Sequence, residues 1–233
     1  MKIGVVTFPG SNCDRDTLDA FASLGVAVRD VWYQDTNLGD LDGAVLPGGF
    51  SYGDYLRSGA LAAKAPVMGA IRQQIAERAL PVLGICNGFQ LLTEAGLLPG
   101  GLRPNRQGEF RCDWQMLRVT ASSPLFPGIE AGTLLRLPIA HGEGSYYVEH
   151  GTLGALFTAG EAWLQYVDER GDLHPMANPN GSVANLAGVT RGPVAALMPH
   201  PERAMSQALG SEDGRRLLVA WIQGVDGRKS HAG

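Results

Sequence analysis

The 233-residue sequence predicts an α/β protein with a doubly wound, mainly parallel sheet flanked by helices and an added β-rich portion in its second half. The first observation is that strand-like and helix-like runs alternate through the first half and are joined by short loops. The second is a change beyond about residue 115, where strand-like pieces are separated by turns. The third is a count of 32 glycines, about twice ordinary usage, which supplies the many tight turns of such a fold.

The first half is predicted to contain four strands with helices between them. Each strand is a short apolar run, often β-branched, and is the type that lies buried in a parallel sheet. Ser11 or Asn12 is predicted to cap the first helix, which carries Leu18, Phe21 and Leu24 on one face and ends at Gly25. The predicted strands are Lys2–Phe8, Val26–Trp32, Gly43–Leu46 and Pro81–Ile85, and the later helices are Ala60–Ala79 and Gly88–Ala95.

The second half is predicted to contain shorter strands and one final helix, Asp213–Ile222, whose apolar residues face inward. Residues 1–225 are predicted to form a single domain, because neither a repeat nor a flexible linker divides them. Residues 226–233 are predicted to form a polar C-terminal tail. The predicted strands are Trp114–Thr120, Thr133–Ile139, Trp163–Val167, Ser182–Leu186 and Val194–Met198.

Composition and charge exclude several classes of protein. An apolar fraction of 45% with 18% charged residues is ordinary for a globular chain and excludes a long disordered one. The net charge is −4 and basic residues are not clustered, so we expect no nucleic-acid partner. No apolar run approaches the length of a membrane span, and the N-terminus lacks a signal-peptide pattern. Three cysteines are too few for a disulfide framework, and we therefore expect a cytoplasmic protein with free thiols.

Cys86 is the predicted nucleophile. It lies in the segment Gly84–Gly88, directly after a predicted strand and before a predicted helix, which is the pattern of a nucleophile elbow with cysteine in place of serine. Glycines two residues before and after suit a strained, crowded turn. The N-terminus of the following helix favours a thiolate. The alternative is a buried structural cysteine, which is our interpretation of Cys13 and Cys112 because both lack this context.

His200 is the predicted base, and Glu202 is the residue predicted to orient it. The segment Met198–Glu202 follows a predicted strand, so His200 is expected at a carboxyl end of the sheet, where open α/β sheets bind ligands. Residues two apart in extended backbone project to the same side, and the flanking prolines restrict that backbone. Glu202 can then fix the imidazole tautomer. By itself this pair could be a surface ion pair, but together with Cys86 it predicts a catalytic triad.

Two successive glycines and one backbone amide are predicted to form an oxyanion hole. Gly48 and Gly49 end the third predicted strand, which is expected to neighbour the strand of Cys86. The second donor is the backbone N–H of Asn87, the residue after the nucleophile. The alternative for the Pro-Gly-Gly segment is a simple turn.

Taken together, these residues resemble the class I (triad) glutamine amidotransferases, whose fold is flavodoxin-like. The pattern Gly-x-Cys-x-Gly-x-Gln of that superfamily is present as Gly84, Cys86, Gly88 and Gln90. Further segments resemble the glutaminase subunits of phosphoribosylformylglycinamidine synthases, enzymes of de novo purine synthesis. Those segments are Cys86–Gln90, His141–Gly144, Asn178–Ser182 and Gly48–Asp54. The match to the amidotransferases as a whole runs from Phe8–Asn12 to Pro199–Arg203.

The resemblance implies that residues 1–225 are one type 1 glutamine amidotransferase domain that acts on L-glutamine. Cys86 would form a γ-glutamyl thioester, His200 would transfer the proton to ammonia, and water would release glutamate. Gln90, His141 and Gly142 would help to seat the amino-acid end of the substrate. The resemblance implies no cofactor or metal in this chain.

The resemblance also implies two partners, a large synthetase subunit and a small accessory subunit. The ammonia would pass to the synthetase subunit, where ATP and Mg²⁺ support conversion of formylglycinamide ribonucleotide to formylglycinamidine ribonucleotide. We place Tyr52, Tyr55, Arg57 and the turn Asn178–Ser182 near that interface as a hypothesis.

Three other functions stay open from the sequence. One is a different cysteine enzyme on a related fold, such as a peptidase or deglycase. Another is a metal hydrolase that uses His141, Glu143, His200 and Glu202, since histidine and carboxylate suit zinc or manganese. The third is a binding module with a decayed site, since a fold does not guarantee a function.

Overall fold

The computed structural model describes residues 1–229, in which strands and helices alternate along the first half as predicted. The elements of this half are β1 (Lys2–Thr7), α1 (Asp14–Ser23), β2 (Ala27–Trp32), β3 (Gly43–Leu46), α2 (Pro66–Arg78), β4 (Val82–Ile85) and α3 (Asn87–Glu94). Those that follow are β5 (Gly101–Arg103), β6 (Arg111–Val119), β7 (Leu134–His141), β8 (Ser145–Tyr147), α4 (His150–Thr158), β9 (Ala162–Val167), β10 (Leu186–Arg191), β11 (Val194–Leu197) and α5 (Asp213–Lys229).

Nine of these strands form one sheet in the order β2-β1-β3-β4-β11-β10-β9-β6-β7. Neighbours from β2 to β11 run parallel, and neighbours from β11 to β7 run antiparallel. Strands β5 and β8 form a separate antiparallel pair. The predicted fold class, a mainly parallel doubly wound sheet with an added β-rich portion, is confirmed. The last strand in sequence, β11, lies beside β4, so the polypeptide returns to the centre of the sheet after building the antiparallel portion.

Helices cover both faces of the parallel portion. On one face, Phe21 of α1 packs edge-on against Trp221 of α5 with ring centroids 5.6 Å apart. A Cβ on Gly43 would lie 2.8 Å from the Trp221 ring, so this glycine lets α5 approach β3. On the other face, α3 packs against Leu46, whose side chain points away from Gly43 because the two residues are three apart in one strand. Strands covered on both faces read as continuous apolar runs, as β3 and β4 do.

One predicted strand, Ser182–Leu186, is wrong. Val183–Asn185 instead form a 3₁₀ turn, and β10 begins only at Leu186. Side-chain oxygens of Asn178 and Asn180 accept hydrogen bonds from the backbone N–H of Ser182 and so compete with strand pairing. Asn side chains that bond to nearby backbone favour turns over ladders.

The predicted C-terminal tail is also corrected at its start. Helix α5 continues to Lys229, so residues 226–229 are helical and the predicted helix end at Ile222 is too early. Gly224 and Gly227 led to the early predicted end of the helix, because glycine is a poor helix former. Gly224 has a packing role, since a Cβ there would lie 2.4 Å from the Leu125 carbonyl oxygen. The rest of the predicted tail, residues 230–233, lies outside the described residues.

The predicted helix Ala60–Ala79 begins later than expected. Ala62–Lys64 form a separate 3₁₀ turn, and α2 begins at Pro66. Proline pushes the preceding residue toward extended backbone, and Ala65 indeed has a ψ of 149°. Across residues 1–229, none of the helices has the length and apolarity needed to cross a bilayer.

Candidate active site

Cys86 lies at the sharp turn between β4 and α3 with left-handed backbone, at φ 50° and ψ −103°. Such backbone is costly for a residue with a side chain, by about 1–3 kcal/mol, and it persists only where the surroundings hold it. A hydrogen bond from the Cys86 N–H to the Leu197 carbonyl at 2.8 Å ties the turn to β11. The Sγ atom lies 3.6 Å from the Ala140 carbonyl oxygen.

The two glycines of the elbow are required by close packing. A Cβ on Gly88 would lie 2.0 Å from the Leu46 carbonyl oxygen, and one on Gly84 would lie 2.5 Å from the Leu92 side chain. These contacts press α3 directly against β3 and β4. The Gly-x-Cys-x-Gly spacing therefore reflects space that only glycine leaves free.

His200 and Glu202 form a buried pair at the end of β11. His200 Nδ1 lies 2.6 Å from Glu202 Oε1, and the two side chains are 1% and 0% exposed. Strand β11 pairs in parallel with β4 so that Leu197 is opposite Ile85, which brings the residues after both strands to one edge of the sheet. The backbone N–H of His200 donates to the Pro138 carbonyl at 2.8 Å and fixes the turn.

The charges around His200 favour its protonated form. Burial by itself lowers the pKa of His200, but the Glu202 carboxylate and the Cys86 sulfur outweigh burial and raise the pKa to about 10. Within residues 1–229, the buried Nε2 atom has no hydrogen-bond partner at ordinary distance. His200 and Cys86 line the same pocket, and the Cys86 sulfur interacts favourably with the imidazole.

Gly48 and Gly49 lie where β3 ends, next to the elbow. A Cβ on Gly48 would lie 2.7 Å from His200 Cε1 and 3.4 Å from Cys86 Cβ. Gly49 has a φ of +137° and bridges to Ser11. The backbone N–H of Asn87 belongs to the first turn of α3, where N–H groups lack intrahelical partners. Gly48 therefore lies against both Cys86 and His200, and the oxyanion hole that it would form with Gly49 and Asn87 stays a prediction.

His141 is held as a neutral imidazole by Asn105, which no motif marks, and by Asn180 of the turn Asn178–Ser182. Its Nδ1 lies 3.1 Å from Asn105 Oδ1, which also accepts from the Gly144 N–H, and its Nε2 lies 3.4 Å from Asn180 Nδ2. These partners place the proton on Nδ1. Burial, with a smaller effect of His200, lowers the pKa of His141 to about 4. Both ring nitrogens are therefore engaged in holding the loop His141–Gly144.

Gln90 joins that loop to α3. Its Nε2 donates to the Glu143 carbonyl at 2.7 Å, and its Oε1 accepts from Asn87 Nδ2 at 2.8 Å. The Gly142 carbonyl accepts from the Asn105 N–H at 2.8 Å. Gln90, His141 and Gly142 all line the pocket beside Cys86, but the side-chain polar atoms of Gln90 and His141 already have partners within the protein.

These residues enclose a pocket of about 520 Å³. Small-molecule sites are commonly concave and of this order of size. Beyond the predicted residues, the wall includes Cys13, Asp54, Ser58, Phe110, Cys112, Glu143 and Arg203.

Cys13 and Cys112 both contribute to the pocket wall, a position that the sequence did not indicate. The Arg203 guanidinium donates to the Cys13 sulfur at 3.1 Å, and burial raises the pKa of the Cys13 thiol to about 12. Cys13 is therefore a protonated thiol beside the histidine, whereas Cys112 is exposed. No local motif marks Cys13, because it reaches the site only through the packing of α1.

The proposed metal-ligand set is not assembled as a cation site. His141 uses both ring nitrogens for asparagine contacts, and Glu143 Oε2 accepts from the Ser58 N–H at 3.3 Å. Potential ligand atoms of Cys13, His200 and Glu202 do lie within 4.8 Å of one another. His200 Nδ1 and Glu202 Oε1 are, however, bonded to each other at 2.6 Å, so these two atoms are not both ligands of one ion.

Comparison with known proteins gives consistent matches across the chain. The sequence profile of the CobB/CobQ-like glutamine amidotransferase domain matches residues 1–217. The phosphoribosylformylglycinamidine synthase subunit PurQ of Thermomicrobium roseum is 56% identical over 224 residues, which cover 94% of each chain. The PurQ subunit of Methanosarcina mazei is 50% identical over 222 residues, covering 94% of this chain and 95% of that protein.

A solved structure gives the same result. A chain in the structure of PurLQS from Thermotoga maritima matches with a TM-score of 0.83 and 40% identity, covering 95% of this chain and 97% of that chain. The resemblance predicted from the motifs is thereby confirmed. The chain belongs to the CobB/CobQ-like glutamine amidotransferase family, in the group that contains the PurQ subunits.

Proposed function

We propose that this chain is the glutaminase subunit of a phosphoribosylformylglycinamidine synthase. It hydrolyses L-glutamine to glutamate and ammonia and delivers the ammonia to a synthetase subunit for de novo purine synthesis. The observation that carries the proposal is the strained Cys86 beside the buried His200–Glu202 pair, at the carboxyl ends of adjacent parallel strands. The relatives at about half identity support the choice of this synthase among amidotransferases.

The chemistry follows from the ionisation of His200. With His200 protonated, the Cys86 thiolate attacks the side-chain carbonyl carbon of glutamine and gives a tetrahedral oxyanion. His200 donates its Nε2 proton to the amide nitrogen, the C–N bond breaks, and ammonia leaves a γ-glutamyl thioester. Neutral His200 then removes a proton from water, which attacks the thioester and releases glutamate. Glu202 holds the imidazole and stabilises its charge through Nδ1.

The neighbouring backbone would stabilise the oxyanion. Gly48, Gly49 and the N–H of Asn87 are our proposed donors, because they surround Cys86 and a Cβ on Gly48 would displace the histidine. Donors fixed before the reaction stabilise developing charge without reorganisation. For glutamine itself, we propose that the loop His141–Gly144 and Gln90 shape the seat of the amino-acid end, with the pocket lining as support.

The partner subunits would supply the remaining chemistry. We propose that ATP and Mg²⁺ bind the large synthetase subunit, which converts formylglycinamide ribonucleotide to formylglycinamidine ribonucleotide, and that a small accessory subunit completes the complex. Similarity to a chain of PurLQS supports an assembly of this kind. Within this chain we propose one type 1 amidotransferase domain over residues 1–225. The cytoplasmic location stays a prediction.

Fewer residues remain candidates for contact with a partner subunit than the sequence suggested. Tyr55 is 74% exposed and the Arg57 side chain is 63% exposed, so both can contact a partner. Asn180 and Ser182 are buried, and Asn180 Nδ2 donates to the Gly144 carbonyl at 2.8 Å. We therefore assign the turn Asn178–Ser182 to support of the pocket loop and keep Tyr52, Tyr55 and Arg57 as interface candidates.

The experiment that tests the function is glutamate release from L-glutamine by the wild type and by Cys86→Ala. Each is measured alone and with the synthetase subunits, ATP and formylglycinamide ribonucleotide. We expect release that requires Cys86 and increases when the partners are added. Release that survives loss of Cys86, or no release from the complete wild-type assembly, would refute the proposal. A glutamine-derived electrophile should also label Cys86, whereas a peptidase would ignore it.

A further inference from the structure

All three cysteines of the chain line a single cavity, the pocket that contains the nucleophile. Cys13 lies directly before α1, Cys86 lies at the elbow, and Cys112 belongs to β6. Each is a free thiol. The glutaminase chemistry described above uses the sulfur of Cys86 alone. The pocket therefore holds two thiols beyond the one that the reaction requires.

Cys13 and Cys86 border the same small space. A Cβ on Gly48 would lie 3.2 Å from Cys13 Sγ and 3.4 Å from Cys86 Cβ, so both side chains approach one point above this glycine. Because Gly48 has no side chain, nothing of its own fills that point. Two cysteines can form a disulfide when their Cβ atoms approach to about 4 Å. The space above Gly48 gives the two sulfurs room to turn toward each other.

The surroundings of Cys86 favour the thiolate, which is the form that oxidants attack. The protonated His200 interacts favourably with the sulfur, and Cys86 directly precedes the N-terminus of α3. Peroxides oxidise thiolates in preference to thiols. The pocket of about 520 Å³ is large enough to admit hydrogen peroxide. The same features that activate Cys86 toward an amide therefore make it sensitive to peroxide.

Arg203 anchors the second sulfur. Its Nη2 donates to Cys13 Sγ at 3.1 Å, and its Nε donates to Asp16 of α1 at 3.2 Å. Burial raises the pKa of the Cys13 thiol to about 12, although the charge of Arg203 acts in the opposite direction. A hydrogen bond from a guanidinium stabilises the negative charge that develops on a sulfur as it attacks another sulfur. Arg203 thus supports a reaction of Cys13 with its neighbour.

Cys112 is less well placed to react with Cys86. It is exposed, and in the ladder between β6 and β7 it lies opposite Ala140. Cys86 Sγ approaches the carbonyl oxygen of Ala140, at 3.6 Å, rather than Cys112 itself. Cys13 is therefore the favoured partner, and Cys112 provides a control from the same pocket.

We propose that Cys13 and Cys86 form a reversible disulfide when a peroxide oxidises Cys86, and that this bond switches the glutaminase off. Cys86 is the nucleophile, so its sulfur is unavailable to glutamine while the bond persists. Cys13 acts as the resolving thiol and takes no part in glutamine hydrolysis. The inference goes beyond the proposed function and adds control of the site by oxidants.

The chemistry has two steps. The Cys86 thiolate attacks one oxygen of hydrogen peroxide, the O–O bond breaks, and a sulfenic acid and hydroxide form as the sulfur loses two electrons. The Cys13 thiol then attacks the Cys86 sulfur, an S–S bond replaces the S–O bond, and the departing hydroxide takes the thiol proton and leaves as water. A dithiol such as dithiothreitol reduces the bond and is itself oxidised to a disulfide. Without Cys13, further peroxide would convert the sulfenic acid to an irreversible sulfinic acid.

The test treats the purified full-length chain with excess hydrogen peroxide and then removes the peroxide with catalase. Untreated synthetase subunits are added, and glutamate release is compared with that of the same variant before treatment. We expect the wild type to lose activity and to regain most of it after dithiothreitol. Cys13→Ser should lose activity as readily but regain about tenfold less, because its Cys86 is oxidised past the reversible stage.

Cys112→Ser is the matched control and should recover as the wild type does. In the oxidised wild type, peptide mass spectrometry should find the peptides of Cys13 and Cys86 joined, and the joined pair should disappear after dithiothreitol. A bond from Cys86 to Cys112 instead, or full recovery of activity in Cys13→Ser, would overturn the inference.

The inference and the proposed function can fail separately. Detection of the joined peptides does not depend on any assay of activity. If the untreated wild-type complex releases no glutamate, the proposed function is wrong whatever the peptides show. If that complex is active but its oxidised chain contains no joined Cys13 and Cys86 peptides, only the inference is wrong.

Discussion

At the scale of single residues, one added carbon at Gly48 should impair catalysis without preventing folding. A Cβ there would lie 2.7 Å from His200 Cε1 and 3.2 Å from Cys13 Sγ, so Gly48→Ala must displace the imidazole. We expect kcat for glutamine hydrolysis to fall about a hundredfold or more, since small misplacements of catalytic groups are costly. Steady-state kinetics of the purified complex measures this.

Gly69→Ala is the control for that substitution. Gly69 lies in α2 with nothing within 4 Å of the added carbon, so the substitution should leave kcat unchanged and stabilise the helix by about 0.5–1 kcal/mol. If Gly48→Ala retained wild-type kcat, the position we assign to Gly48 beside His200 would be wrong.

Glu202 gives a pH-dependent prediction. The pKa of His200 is about 10 in the folded chain and about 6.5 in an unfolded one. The folded state therefore binds the proton more tightly, and this stabilisation is complete below about pH 6.5 and is lost as the pH rises through 10. Glu202→Gln should lower the free energy of unfolding by about 3 kcal/mol at pH 6 and by clearly less at pH 10.5.

Urea unfolding at the two pH values measures this difference. The control is Glu161→Gln, which breaks the exposed ion pair with Arg191. An exposed ion pair of this kind contributes little, so the effect of the control should be below about 1 kcal/mol and equal at both pH values. A Glu202→Gln effect that does not change with pH would contradict the ionisation we assign to His200.

At the scale of elements, the loop His141–Gly144 depends on Asn180. This side chain donates to the Gly144 carbonyl at 2.8 Å and accepts from Ser182. Asn180→Ala should leave buried polar groups without partners, at a cost of about 2 kcal/mol. We expect a lower melting temperature together with a raised KM for glutamine.

Thermal melting and steady-state kinetics test this prediction together. Asn37→Ala at an exposed position is the control and should change neither quantity. If Asn180→Ala lowered the melting temperature but left the KM for glutamine unchanged, the predicted link between this loop and substrate binding would be wrong.

The elements themselves were predictable to different degrees. The strands β1, β3, β4 and β9 follow from short apolar runs, because burial in a sheet demands that pattern over a few consecutive residues. The segment Ser182–Leu186 was not predictable in this way, because asparagine side chains bond to its backbone and replace the strand ladder. The end of α5 was missed because Gly224 and Gly227 are poor helix formers, although Gly224 serves packing against Leu125.

At the scale of the whole molecule, Tyr55 and Arg57 are the residues whose loss should weaken assembly with the synthetase subunit. Exposed tyrosine and arginine are enriched among residues that contribute strongly to interfaces. The double variant Tyr55→Ala and Arg57→Ala should weaken binding about tenfold or more and lower ammonia transfer, while the isolated chain keeps its melting temperature. Arg57 forms an exposed ion pair with Glu94, so its own folding contribution is small.

Sedimentation or calorimetry with the purified synthetase subunit measures the binding. A matched control is the substitution of Arg103 and Tyr147 to Ala, since these two residues form an arginine–tyrosine contact elsewhere on the surface. Unchanged binding and coupled activity in the Tyr55 and Arg57 variant would exclude this loop from the interface.

The sequence by itself determined the fold class, the elbow around Cys86 and the family, because each depends on residues that are neighbours along the chain. The glycines of the elbow, for example, mark the close approach of α3 to β3 in five consecutive residues. Tertiary structure alone decided which distant side chains meet at the pocket. Cys13 and Asn105 carry no motif, and they reach the site only because β3, β4 and β11 end side by side with the loops around them. Contacts between residues far apart in sequence depend on strand order and loop packing, and neither is encoded in any one local pattern.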